Sequence, residues 1–475
     1  MEIITQNYEK ILENLIINNF SNTIKQNDNR NPNENKVFNY IRLLDTLDEK
    51  ICEIAKNSLV TIFETLDRGY KNSIERMHKY HIKAYTTRTI MTIFGEITYR
   101  KTIYQSKHNY KSFCFIDDYL GLKKYDYFDP YIKATILEYA ANNPSTKVAK
   151  IINDMIGNRI KTTEPYQYIT RQTIRNIILS SPISKPQYEE LETPDDLYIM
   201  ADEKFIATQN NNKEDVMVKD IVVFDGREEK NNRVKLKNKM SFSSFRGNEC
   251  IDECLDYLYY VYDLDKVKNI YVMGDGAKWI RNLQYEFNIN ENINVSFNLD
   301  KFHFKQAIHH IGQDKFLEEC LTSYVLGDSK KDFIECCECL IESNPYREQT
   351  ISEKKEYILN NWKFINNLYK NKLKCPMESQ ISHTLADLFS SRPKGYSLKT
   401  LTKLLNLRLL YINSFNIKLL YLNNINKKDT LVINQEYLNY QSFESKYIPI
   451  NESLLPTNYY PGYYHDSSIN FVPHF

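Results

Sequence analysis

KNIYVMGDGAKWI, residues 268–280, is a short apolar run that ends in Gly274-Asp275-Gly276 and passes at Ala277 into a helical pattern. An apolar run of this length, bounded by glycine, reads as a buried strand. A carboxylate at the C-terminal end of such a strand lies where open α/β sheets bind ligands. Its flanking glycines let other backbone approach closely. Upstream, Leu197 to Thr208 is another strand, and Asp202 and Glu203 interrupt its apolar course (LYIMADEKFIATQ, 197–209). Burying acidic side chains is costly unless they are paired or bind metal.

Working outward, Val216 to Phe224 and the more polar Val234 to Phe242 read as strands. Cys250 to about Tyr262 reads as a helix, and Asn294 to Leu299 as a last strand. The order is three strands, helix, strand, helix, strand. Three consecutive strands favour a meander, and the later strand-helix-strand units add parallel strands. The expectation is an α/β RNase H-like core with a mixed five-stranded sheet over residues 196–395, carrying a helical insertion at about 304–374. KCPMESQISHTLADLFSSRP (374–393) reads as a helix stopped by Pro393.

The flanks are helical. Residues 1–85 repeat apolar positions at steps of three and four and predict an N-terminal helical arm. Residues 86–130 hold a β-hairpin, 87–105, turning at Phe94-Gly95. Residues 131–185 carry two helical stretches resembling a helix-turn-helix. In that motif Arg171, Gln172, Thr173 and Arg175, near the start of the second helix, face DNA. From Lys133 to Pro186 there are eight Lys or Arg against three Asp or Glu, an excess suited to phosphate contact. Residues 396–475 read as a basic helical segment followed by an irregular tail from about Asn451.

Composition bounds the rest. The 475 residues are 42% hydrophobic and 26% charged, enough for globular cores in several domains. The net charge of +1 means that a nucleic-acid partner must be met by local patches. Nine cysteines follow no disulfide framework and read as reduced thiols of a cytoplasmic protein. Cys250 with Cys254, and Cys336, Cys337 and Cys339, match no common zinc spacing and read as free buried thiols. No run reaches the roughly 20 apolar residues of a membrane span, and MEIITQNYEK lacks the apolar stretch of a secretory signal.

Asp202, Asp275 and Glu378 are the candidate catalytic and metal-binding residues, separated by 73 and 103 positions. Phosphoryl transfer on DNA relies mainly on positioning and charge neutralisation, which two Mg²⁺ (or Mn²⁺) ions on hard oxygen ligands provide. Strand register decides whether Asp202 or Glu203 faces the ions. Asp300 and His303, just after the last strand, are candidate second contacts to phosphate or carboxylate.

RTIMTIFGEITYRKTIY, YIMADEKFIATQ, YVMGDGAKWI, LDKFHFKQAI and ESQISHTLADLFSSRPKGYS, spread over residues 85–400, resemble the ISLre-two insertion-sequence transposases. That family belongs to the Mutator-like enzymes with an Asp-Asp-Glu triad. The resemblance implies Asp202, Asp275 and Glu378 as the triad, with Asp300 and His303 in the Cys/Asp-x-x-His motif. It adds His383 and Arg392 as further phosphate or supporting contacts. It also implies Mg²⁺-dependent DNA cleavage and strand transfer, double-stranded DNA as partner (terminal inverted repeats and target), a homo-oligomer, and a place at the nucleoid. Ser379 stands where the family has Gly, and Tyr396 where Trp is common. Two alternatives stay open: an RNase H-fold nuclease or resolvase, and a catalytically decayed DNA-binding protein.

Overall fold

The computed structural model describes residues 36–157, 169–209, 215–230, 233–371, 373, 375–390 and 395–426. The first helical stretch of the arm and the irregular tail lie outside them. The described residues form two compact units, one from 36–139, 144–184 and 418–426, the other from 140–143 and 185–417.

The first unit begins with α1 (Lys36–Lys71) and α2 (Ile74–Lys79), the latter capped by the Ser73 hydroxyl. β1 (Tyr80–Thr92) pairs antiparallel with β2 (Gly95–Ser106), and β3 (Ser112–Phe113) joins β2. Gly95 turns the hairpin at φ +112°, a conformation that favours glycine. The hairpin starts earlier than the sequence pattern suggests, because Tyr80 and Ile82 still pack against the core. Phe63, Leu66 and Tyr70, at helical spacing on α1, bury against Ile90, Ile97, Tyr99 and Tyr104. α3 (Phe115–Tyr119), α4 (Pro130–Ala140), α5 (Ser145–Gly157) and α6 (Arg171–Ser180) follow.

The second unit is a mixed α/β layer. Its strands are β4 (Asp196–Ile206), β5 (Val216–Phe224), β6 (Gly226–Lys230), β7 (Arg233–Lys237) and β8 (Met240–Ser244). After α7 (Glu249–Val261) come β9 (Asn269–Gly274), α8 (Lys278–Glu286) and β10 (Asn294–Leu299). The five-stranded sheet has the order β10-β9-β4-β5-β8. β4, β5 and β8 are antiparallel neighbours, while β9 and β10 add in parallel. The stretch 234–242 is not one strand. Asn238 takes a left-handed φ of +48° and separates β7, which hairpins with β6, from β8, which enters the main sheet.

Period-two alternation splits the sheet into two faces. Leu197, Ile199 and Ala201 of β4, with Ile221, Val223, Ile270 and Val272, bury into the large core with α7 and α8. Met200, Val222, Phe224 and Met273 point the other way and form a smaller cluster with Met377. After β10 the chain is helical: α9 (Lys301–Gly312), α10 (Lys315–Leu326), α11 (Lys330–Ser343) and α12 (Glu348–Asn371). α13 (Met377–Ile381) passes through a π-helical turn, Ser382–Ala386, into α14 (Asp387–Phe389). α15 (Leu398–Ile412) and α16 (Ile417–Asn426) end the described chain.

Candidate active site

Four aspartates line up across four adjacent strands on the Met200 face. Asp202 is the direct cross-strand partner of Asp220. The β4–β9 ladder pairs Met200 with Met273, so Asp202 and Asp275 each lie two residues beyond the same rung. The β9–β10 ladder pairs Asn298 with Met273 and Leu299 with Gly274. Asp300 continues it, its amide donating to the Gly274 carbonyl at 2.7 Å. Neighbouring strands are about 4.8 Å apart, so the row Asp300–Asp275–Asp202–Asp220 gathers negative charge along one edge.

Both glycines around Asp275 have a reason. A Cβ on Gly274 would come within 2.8 Å of the Ala201 carbonyl oxygen of the adjacent strand. Gly276 has φ +90°, and a Cβ there would meet Asn361 Oδ1 at 2.6 Å. Asp275 Oδ1 accepts from the Ala277 amide at 2.9 Å, while the Tyr357 hydroxyl donates to the Asp275 carbonyl at 2.6 Å. Close packing on the β4 backbone and side-chain contacts from α12 therefore fix the turn that carries the carboxylate.

The electrostatics are those of uncompensated acid. Burial, and then the Asp275 charge, push Asp202 up to about 6. Burial and the Asp202 charge push Asp220 up to about 7. Asp300 is also raised, by burial first and with Glu378 contributing. Among the described residues no lysine or arginine is ion-paired with any of the four. The histidine beside them is His303, whose Nε2 is 3.9 Å from Asp300 Oδ2. Asp300 also caps α9 by accepting from the Phe302 amide.

Glu378 is exposed on α13, one residue after Met377, which docks on the same sheet face as Asp202. Within the π-helical turn the carbonyls of His383 and Thr384 both accept from the buried guanidinium of Arg408. The His383 side chain is exposed. Arg392 lies outside the described residues.

The register question has a clear answer. Glu203 belongs to the opposite face, where its carboxylate accepts from the Trp279 indole N–H. Its cross-strand partner Lys219 sits over that indole, 5.0 Å from the ring centroid. Asp202 is the residue on the aspartate row. Asp220 and Trp279 were not singled out from sequence. The signal for Asp220 was an acid in the middle of the apolar VMVKDIVVF, whose partner only the pairing reveals.

Among the described residues no three His, Cys, Asp or Glu side chains already stand together at ion-binding distance. In kind the donors suit a hard divalent cation: carboxylate oxygens without a balancing cation, one of them, Asp220 Oδ2, buried without a partner. The cysteines are all free; Cys250, Cys254 and Cys337 are buried as expected, whereas Cys336 is half-buried and Cys339 is exposed.

In the first unit α5 and α6 are both present, but thirteen residues separate them, where a helix-turn-helix has a turn of three or four. The polar connection 158–168 lies outside the described residues. Arg171, Gln172 and Arg175 are exposed, whereas Thr173 is engaged with Thr170 in the capping box of α6. Among the described residues no helix is long and apolar enough to cross a membrane.

A family profile described as "Uncharacterised protein family (UPF0236)" matches residues 34–422. The chain belongs to the UPF0236 family. A UPF0236 protein of Caldanaerobacter subterraneus subsp. tengcongensis is 27% identical over 391 residues, 80% of this chain and 80% of the relative. Another UPF0236 protein of that organism, whose name joins eleven loci, is 26% identical over 388 residues, 79% of this chain and 78% of the relative. A "UPF0236 protein in vanSb 3'region" of Streptococcus gallolyticus is 24% identical over 321 residues, 66% of this chain and 69% of the relative. The family match takes in the aspartate row, α13 and the hairpin of the first unit.

Proposed function

We propose that this UPF0236 chain is the DNA transposase of a bacterial insertion sequence, built on an RNase H-like core and cutting and rejoining phosphodiester bonds. The observation that carries the reading is the aspartate row at one edge of a sheet ordered third-second-first-fourth-fifth, with no lysine or arginine among the described residues in an ion pair with it. Asp202 and Asp275 would hold the cations, and Glu378 would complete the set. Two Mg²⁺ or Mn²⁺ ions held there supply activation of the attacking oxygen and neutralisation of the leaving one. The chain's own part is to fix the two carboxylates through the Gly274–Gly276 turn and Tyr357, and to offer His303 as a proton or phosphate contact.

Two further observations support a DNA partner and a mobile element. Residues 68–111 contain ten Lys or Arg against two Asp or Glu. Lys79, His81, Lys83, Lys107, His108 and Lys111 are all exposed near the open end of the hairpin. Such a surface fits the sugar–phosphate backbone. A relative whose name joins eleven loci of one genome has the distribution that a self-copying segment leaves. Two element ends must be held together for rejoining, so a homo-oligomer on terminal repeats, at the nucleoid, belongs to the same reading.

The test is strand cleavage of duplex DNA carrying the element's own ends, by the full-length chain with Mg²⁺. Cleaved and joined products are expected, and Asp275→Ala should lower them by on the order of 1000-fold. Full cleavage by Asp275→Ala would end the assignment. Cleavage without joining would favour a hydrolytic RNase H-fold nuclease instead.

A further inference from the structure

Asp220 is the member of the row that the triad does not use. Its exposure is 0%, the lowest of the four. As the direct cross-strand partner of Asp202 it leaves the sheet on the same face. One of its oxygens accepts the Ser243 hydroxyl at 2.5 Å. The other, Oδ2, is buried with no hydrogen-bond partner. The field of Lys239 reaches it, but that ammonium donates to Gln380 and makes no ion pair with Asp220.

A buried carboxylate oxygen left unmade bears its full desolvation penalty. If the only task were to accept from Ser243, asparagine would serve as well and would carry no charge into the interior. What sets Asp220 apart from a merely half-satisfied acid is its neighbour: it shares a rung with Asp202, so its charge acts on that carboxylate.

We propose that Asp220 is a positioning residue of a divalent-cation site, held by Ser243 and adding its charge behind Asp202 so that Asp202 binds the ion tightly. The inference rests on the cation-binding part of the transposase reading and is independent of whether DNA is the substrate. Residues that orient or polarise a ligand in this way typically contribute 10–100-fold to metal affinity.

The experiment is Mn²⁺ titration of the full-length chain, with free Mn²⁺ read by electron paramagnetic resonance, beside thermal unfolding without added metal. Asp220→Asn should weaken Mn²⁺ binding by about tenfold or more while leaving the metal-free Tm unchanged or higher, since it removes a buried charge and keeps an acceptor. Ser243→Ala should weaken binding in the same direction by less. A lowered Tm with unchanged Mn²⁺ affinity would mean a purely structural Asp220 and would overturn the proposal. Should Asp220→Asn fail to fold, Ser243→Ala decides: unchanged affinity there rejects it. A wild-type chain that binds no Mn²⁺ would reject the cation site and this role together. Wild-type binding with Asp220→Asn equal to it would reject the role of Asp220 alone.

Discussion

Two clusters of buried acid, one in each unit, are handled in opposite ways. In the first, Asp117 is 8% exposed and meets two cations: Arg88 Nη1 at 2.6 Å, and the Lys101 ammonium. In the second, Asp202, Asp220, Asp275 and Asp300 share one edge of a sheet and, among the described residues, meet no lysine or arginine in an ion pair. The first arrangement is balanced in charge, and its cations come from β1 and β2 to bind the hairpin to α3. The second is unbalanced by the same standard. Charge buried without a partner is retained where it serves a site, and such sites are where perturbed carboxyls concentrate. The contrast separates an acid that holds a fold together from acids that the proposed function assigns to a cation.

Breaking the balanced arrangement should have the larger effect on stability. Arg88→Ala removes one partner of Asp117 and the donor to the Lys123 and Asp126 carbonyls. A buried pair broken on one side costs about 3–5 kcal/mol, so the urea midpoint of the first unit should fall by a corresponding amount. Asp202→Asn, by contrast, should leave the metal-free stability unchanged or raised. Equal losses from the two substitutions would erase the distinction between the units.

Much of the second unit was legible in sequence because its chemistry interrupts strong patterns. Asp202 breaks an apolar strand, and Asp275 sits between two glycines whose tight packing against Ala201 and Asn361 admits no side chain. Strand register was not legible, because consecutive acids at 202 and 203 go to opposite faces and only the strand pairing and the Trp279 contact assign them. Asp220 was hidden for a related reason. A single acid in VMVKDIVVF acquires meaning only from the residue opposite, and pairing is a long-range property. The division of 234–242 into two strands hangs on one left-handed asparagine. In the first unit the Arg88–Asp117–Lys101 cluster joins residues from three elements, and no local pattern announces such a junction.

A finer test of balance uses Asp67, also in the first unit. Its carboxyl is 6% exposed and accepts the Thr102 hydroxyl at 2.6 Å, but its Oδ1 is buried without a hydrogen-bond partner. Burial pushes it up to about 6. A folded-state pKa above the unfolded one means that the folded chain holds this proton more tightly. Its contribution to stability is therefore most favourable below about 4 and is lost as pH rises through about 6. Asp67→Asn should flatten that part of the profile and raise stability at pH 8 by on the order of 2 kcal/mol. Urea midpoints at pH 5 and pH 8 for both chains provide the measurement, and parallel profiles would contradict it. Asp129, Asp202 and Asp220 titrate in both proteins, so the difference between the chains isolates Asp67.

The smallest effect bears on the sharpest structural distinction, the one between adjacent acids. Glu203 is occupied on the core face by the indole N–H of Trp279, under the Lys219 ammonium, whereas Asp202 stands in the row. Trp279→Phe keeps the ring and removes the donor. It should cost about 1 kcal/mol, the net worth of one hydrogen bond to a partly buried group, and leave Mn²⁺ affinity as in the wild type. Glu203→Gln should likewise keep Mn²⁺ binding and any strand cleavage, while Asp202→Asn abolishes both. The reverse outcome, with Glu203→Gln inactive and Asp202→Asn active, would mean that the strand presents its other face to the ligand. The row would then lose its central member, and with it the argument that its charge is gathered for a cation.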